Sequence, residues 1–254
     1  MVNNFGLFPD EQQKNLRFLE LTRMIIESMD AIDDSIEKIN VKLNPNNPVD
    51  VRAQSWNVEE KMKMYTMVYT ILSSNEVQGF HSFAIDEYYG KFERTLMQRI
   101  SNYVIPSLEN HKFGEELLFM TEVAKQWSQV DEYRRNLHII FLHPEKMVKG
   151  SLGIFKPLLV DICKAKFCDM VWDKFHNEID LSVTKMMESG VFDNESNNIP
   201  LKEEVVKFLN EMKKVSNEKL KKTLNIVKLE CVVEVPSYNY NIIISFINAA
   251  DFII

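Results

Sequence analysis

Lys61-Met62-Lys63-Met64-Tyr65-Thr66-Met67-Val68-Tyr69-Thr70-Ile71-Leu72 decides how the rest of the chain is read. Met64, Val68, Ile71 and Leu72 recur at helical spacing and give one buried stripe. Met62, Tyr65, Thr66 and Tyr69 recur at three- and four-residue steps and wrap onto an adjoining face. Two readings fit such a helix. The second stripe is further core, as aromatic residues at helical spacing usually are, or it is a face for a partner helix.

The surrounding composition favours long helices. The chain has 254 residues, enough for one large or two ordinary domains. Hydrophobic residues make up 45% of it, so it can bury a core. Only 7 Gly and 8 Pro occur; Gly is thus scarce against its usual ~7%, which disfavours turn-rich β architecture and Gly-rich phosphate loops. The net charge of −7 disfavours nonspecific nucleic-acid binding, which needs a basic surface. Cys163, Cys168 and Cys231 make neither a disulfide framework nor a zinc knuckle and read as reduced, buried thiols of a cytoplasmic or nuclear protein. Residues 1–10 lack the basic flank and apolar run of a signal peptide. The apolar stretch from Val235 to Ala250 is too short and too polar to span a membrane.

Helical periodicity then runs along most of the chain. A first helix is expected from Asp10 to Leu43, with Leu16, Leu19, Met24, Ile25, Met29, Ile32, Ile36 and Ile39 on its apolar side, ending at Asn44-Pro45-Asn46-Asn47-Pro48. A loop is expected up to Trp56, with Asn57 as the cap of the second helix. A long helix is predicted from His81 to Asn110, carrying Phe83, Tyr88, Phe92, Leu96, Ile100 and Tyr103 and kinked by Pro106. Two helices are predicted at Gly114–Gln126 and Gln129–Leu142, with Pro144 breaking or kinking the chain. Lys156 to Glu188 is amphipathic, Gly190 to Pro200 reads as a loop, and Leu201 to Leu229 as one Lys- and Glu-rich helix. Val232 to Val235 and Asn241 to Ile247, rich in β-branched side chains, read as strand or aggregation-prone sequence.

No catalytic constellation can be assembled, so an enzyme is not expected. No phosphate-cradling Gly motif, nucleophile elbow or kinase signature occurs. His138 and His143 are five apart, as are Cys163 and Cys168, which does not align either pair for a metal. No metal or cofactor is expected. Glu115-Glu116 and Glu203-Glu204 read as helix-start charges. Lys213, Lys214, Lys219, Lys221 and Lys222 form either a solvated face or a contact for an acidic partner.

Taken in order, the segments resemble the N-terminal region of cullins, most closely the class that builds F-box ubiquitin ligases, in its plant form. Met62-x-Met64-Tyr65-Thr66-x-Val68-Tyr69 resembles the family's Met-x-Leu-Tyr-Thr-x-Val/Ile-Tyr. Tyr88 to Phe92, followed by Tyr103-Val104-Ile105-Pro106-Ser107-Leu108, resembles a tyrosine-rich helix ending in a Val-Leu-Pro-Ala-Leu-like turn. Leu117-Leu118-Phe119-Met120 to Trp127-Ser128 resembles the next helix, and Leu158 to Val171 the start of a second repeat, more loosely. The resemblance covers Asp10 to Leu209.

It implies an all-α stalk of cullin repeats: a first repeat at 10–150, a partial second at 151–231 and an atypical tail at 232–254. It also implies a non-catalytic scaffold linked to ubiquitin-ligase assembly and ubiquitin-dependent protein catabolism. In the family, the second and fifth helices of the first repeat bind a Skp-type adaptor that carries F-box proteins. Carried onto this sequence, the contacts are Met62, Tyr65, Thr66 and Tyr69, with Ile140, His143 and Met147 from the fifth helix. Two departures weaken that face: Lys61 stands where the family places a further Tyr, and Pro144 stands where its fifth helix is uninterrupted. No RING subunit, nucleic acid or membrane is expected as a partner. The chain reads as a truncated paralogue or as a gene model running into an intron. It would act as a decoy or regulator of adaptor supply. The alternative is a helical interaction protein, or degenerate paralogue, that no longer binds the adaptor.

Overall fold

A computed structural model describes residues 9–44, 47–73, 80–111, 116–150, 156–189 and 199–227. The described residues form helices and their connections, with no strand among them, so the fold is all-α. The expected tail at 232–254, Cys231 and most of the 190–200 loop lie outside the described residues.

Helix α1 (Pro9–Leu43) has 35 residues, about 52 Å at 1.5 Å per residue. Its buried positions are Leu21, Ile25, Ser28, Ile32, Ser35 and Ile39, alternating steps of four and three that make a narrow seam. Two of these six are serines, each with its hydroxyl satisfied. Ser28 Oγ shares a hydrogen bond of 2.9 Å with Tyr88 Oη, and Ser35 Oγ donates to the Ala31 carbonyl. Leu16 and Leu19, expected in the core, are exposed instead. Phe18, between them, makes the contact instead, meeting Phe80 at 6.1 Å and Phe83 at 6.2 Å.

The stretch expected as a loop contains a short helix, α2 (Val49–Ser55), which starts after Pro48 and packs on α1. Buried Trp56 follows it. Helix α3 (Val58–Leu72) starts as predicted. Asn57 Oδ1 accepts the Glu60 N–H at 3.0 Å, satisfying one of the orphan donors of the first turn. Met64, Val68, Ile71 and Leu72 are its buried residues, matching the predicted stripe.

The predicted long helix is three joined pieces: α4 (Phe80–Arg99), a π-helical segment (Ile100–Val104) and α5 (Ile105–His111). The Ile105 N–H bonds to the Ile100 carbonyl, five residues back. A proline ring clashes with the carbonyl four residues before it, here that of Asn102, inside the π segment. The widened turn accommodates Pro106 there, so the helix changes pitch instead of ending.

Helix α6 (Glu116–Gly150) corrects the two helices predicted in its place. It runs unbroken past Gln126 and past Leu142, with Pro144 inside it. Proline in a helix interior costs ~3 kcal/mol. Burial offsets that cost here: Val148 lies in the core and Met147 packs against it.

Helix α7 (Leu159–Glu188) bends at Phe175, the one residue inside it with non-helical angles (φ −121°, ψ 20°). The single helix expected from Leu201 to Leu229 is instead α8 (Ile199–Met212) and α9 (Glu218–Ile226). Asn217 separates them. Its Oδ1 accepts the N–H groups of Lys219 and Leu220, both at 3.0 Å, and its Nδ2 donates to Asp169 at 3.0 Å. Lys219, Lys221 and Lys222 of the basic run pair with Asp173, Glu218 and Asp180.

Helix α6 is the axis of the molecule. It packs on α1, α3, α4 and α5, and also on α7 and α8. Phe141 meets Phe92 of α4 at 5.3 Å, and Trp127 meets Phe167 of α7 at 5.3 Å. One core therefore continues from the helices before residue 150 into those after it.

Candidate functional site

The α3–α6 seam places the singled-out side chains. Buried Met64, Val68, Ile71 and Leu72 hold one face of α3 against its neighbours, so the other face must point outward. Met62 is 53% exposed and Tyr69 46%; Thr66 is exposed and Tyr65 half-buried. The second stripe is therefore mostly surface. Val58, at the start of α3, is exposed too and extends the stripe by one turn. It lies four residues before Met62, so the same period would have found it.

From α6, His143 reaches the aromatic residues of α3. Its ring centroid lies 4.7 Å from that of Tyr69, edge-on at 65°, and 6.4 Å from that of Tyr65. Tyr65 and Tyr69 stack on each other at 6.2 Å. Such offset and edge-on geometries each add about 0.5–1.5 kcal/mol beyond area burial. Burial, with Lys146 adding to it, holds the imidazole below its ordinary pKa, which favours the neutral ring. The surface offered is a rigid aromatic patch of two tyrosines and one imidazole, flanked by the flexible thioether of Met62.

The three residues predicted from α6 separate. His143 joins the patch, and Met147 is half-buried against the core. Ile140 is fully buried, a correction to its expected place on the partner face. It falls three residues before His143, on the core side of α6. The expectation that α6 ends or turns away near Leu142 is also corrected, because α6 continues to Gly150.

Cys163 and Cys168 are buried free thiols, and burial pushes the Cys163 thiol up to about 12. Cys168 Sγ donates to Met212 Sδ at 3.6 Å. Among the described residues, no three of His, Cys, Asp and Glu stand together as metal ligands. No described helix is long and apolar enough to cross a membrane.

No family model, curated protein or solved structure matches this chain.

Proposed function

We propose that the chain is a non-catalytic, cullin-like scaffold whose α3–α6 face binds a Skp-type adaptor carrying F-box proteins. The observation that carries this reading is the meeting of Tyr65, Tyr69 and His143 across two helices, with Met62 and Thr66 exposed beside them. Aromatic anchors on a rigid, half-exposed helical face suit a partner helix. The ordered blocks from Met62 to Tyr69 and from Tyr103 to Leu108 supply the cullin resemblance. In this reading the chain works through protein contacts in ubiquitin-ligase assembly. Bound adaptor would be withheld from full-length scaffolds, which makes the chain a decoy or regulator of ubiquitin-dependent protein catabolism in the cytoplasm or nucleus.

One observation favours a second reading, that of a helical interaction protein without adaptor affinity. Lys61 is charged at a position where the family carries a Tyr, and α6 offers His143 and a half-buried Met147 with Pro144 beside them. Calorimetric titration of the purified chain with an adaptor–F-box pair decides between them. Saturable binding supports the scaffold reading, and no heat at tens of micromolar supports the second.

A further inference from the structure

Helix α1 carries a second seam, opposite the one the core uses. Leu16, Leu19, Arg23, Ile26, Asp30 and Asp33 follow one another at steps of three and four, the spacing of residues that meet a partner helix. Leu19, Arg23, Ile26, Asp30 and Asp33 each stand two positions before a buried residue of the inner seam: Leu21, Ile25, Ser28, Ile32 and Ser35. Two positions are about 200° of a helix, so the second seam faces away from the core. Leu16 is 68% exposed, Leu19 64% and Ile26 58%. Single exposed apolar residues are ordinary, whereas a line of them along one helix offers a contiguous stripe.

The charges beside the stripe decide what can cover it. Arg17 pairs with Glu20 at 2.6 Å, Arg23 with Glu27 at 3.4 Å, and Lys91 of α4 with Asp33 at 2.5 Å. Asp30 continues the seam one turn after Ile26, and Asp34 follows one turn further. Both are exposed and have no ion-pair partner among the described residues. Lys38, one turn after Asp34, is held by Glu60 at 2.6 Å. The stripe therefore runs into two carboxylates that no described cation answers. A second copy of this face would carry the same excess negative charge, and an anionic lipid surface would be repelled by it.

We infer that this outer seam of α1 docks a helix of a partner polypeptide, apolar along one stripe and bearing Lys or Arg beside it. Leu16, Leu19 and Ile26 bury against the partner's stripe, in the manner of helix-on-helix recognition. The partner's cations answer Asp30 and Asp34. The apolar residues precede the acidic ones along α1, so the charged contacts also set the register and direction of the partner. This inference does not depend on the adaptor reading, since it uses none of the side chains of the α3–α6 patch.

The test is calorimetric titration of the full chain with synthetic peptides of about five helical turns. One has a Leu stripe flanked by Lys, a second has the same composition scrambled so that no stripe forms, and a third has the stripe flanked by Glu. The Lys-flanked stripe is expected to bind saturably, at least tenfold tighter than either control, and less tightly in added salt. Amide shifts in nitrogen-15 spectra should centre on residues 16–34. Leu19→Gln with Ile26→Gln changes two largely exposed positions, so it should keep the helical circular dichroism and lose at least tenfold in affinity. Asp30→Asn with Asp34→Asn should lose at least threefold. Equal binding of the scrambled peptide would reduce the effect to attraction by the chain's net charge of −7 and overturns the inference. Equal binding of the Glu-flanked stripe, no saturation at millimolar concentration, or unchanged affinity in the folded Leu19 and Ile26 variant does so too. A dimer seen by sedimentation and abolished by that variant would give the seam to a second copy, and phosphatidylserine-vesicle binding abolished by it would give the seam to lipid; either overturns the inference. Loss of adaptor binding through Met62 and Tyr65 changes leaves all these outcomes as they are.

Discussion

The Glu145 carboxylate accepts the backbone N–H of Leu159 at 3.0 Å, tying the last turns of α6 to the first turn of α7. Its second oxygen lies 3.2 Å from His138 Nε2 and 3.5 Å from Lys149 Nζ. The capping group of α7 thus comes from another helix, one residue after the proline inside α6. Leu158, which occupies the cap position itself, has no side-chain acceptor to offer.

Glu145→Ala should therefore destabilise the fold by about 2 kcal/mol, since it leaves the first N–H of α7 buried without an acceptor. Burial opposes ionisation of Glu145, but the Leu159 N–H, His138 and Lys149 outweigh it and hold the carboxyl below its ordinary 4.5. With the folded pKa depressed, the contribution is complete above the unfolded value and lost as pH falls through the folded one. Urea denaturation of wild type and Glu145→Gln should show a stability gap at pH 6 that narrows towards pH 3. A gap independent of pH would assign the effect to packing alone.

The Pro144→Ala variant should be more stable than wild type by about 1–2 kcal/mol. Restoring an N–H lets Ile140 regain its helical partner, worth up to ~3 kcal/mol in a helix interior. Loss of the buried ring and a freer unfolded chain reduce the gain. The midpoint of urea denaturation reads the difference. A lower midpoint would mean that the ring's packing outweighs the missing hydrogen bond.

Thr223 joins two helices through one hydroxyl. Trp172 Nε1 donates to Thr223 Oγ1 at 3.1 Å, and that hydroxyl bonds to Asp180 Oδ1 at 2.8 Å. Trp172 and Thr223 are fully buried. Thr223→Val keeps the shape and removes both bonds, leaving the indole N–H without an acceptor. We expect a loss of about 2–3 kcal/mol, read by thermal or urea denaturation. A change below about 0.5 kcal/mol would show that α9 contributes little to the stability of the core.

For the proposed adaptor face, Met62→Ala with Tyr65→Ala should weaken adaptor binding by at least about 2 kcal/mol, the scale of aromatic hot spots. Met62 is largely exposed, so circular dichroism should show an intact helical fold. Unchanged affinity in that folded variant would place the adaptor on another surface.

Much of the fold was legible because burial imposes a period. In α3 both the predicted stripe and the Asn57 cap match the structure. The α1 seam was half-legible. Ile25, Ile32 and Ile39 stand out, whereas Ser28 and Ser35 are polar residues whose burial depends on bonds to Tyr88 and to the helix's own Ala31 carbonyl. Asn217 was a stop signal overlooked inside a Lys- and Glu-rich run. Its capping bonds to Lys219 and Leu220 are of the same local kind as those of Asn57.

The sequence by itself determined that the chain is helical, which face of α3 is core, and which residues line its outer face, because these follow from local spacing and side-chain chemistry. Only the tertiary structure decided how the prolines act and what stands beside that face. A proline's local cost is similar anywhere in a helix interior, but Pro106 is met by a widened turn and Pro144 lies between buried neighbours that hold α6 together. The patch of Tyr65, Tyr69 and His143 needs residues more than seventy positions apart to meet. No periodicity within one helix encodes such a meeting; it arises from how α3 and α6 bury their core faces against each other and their neighbours.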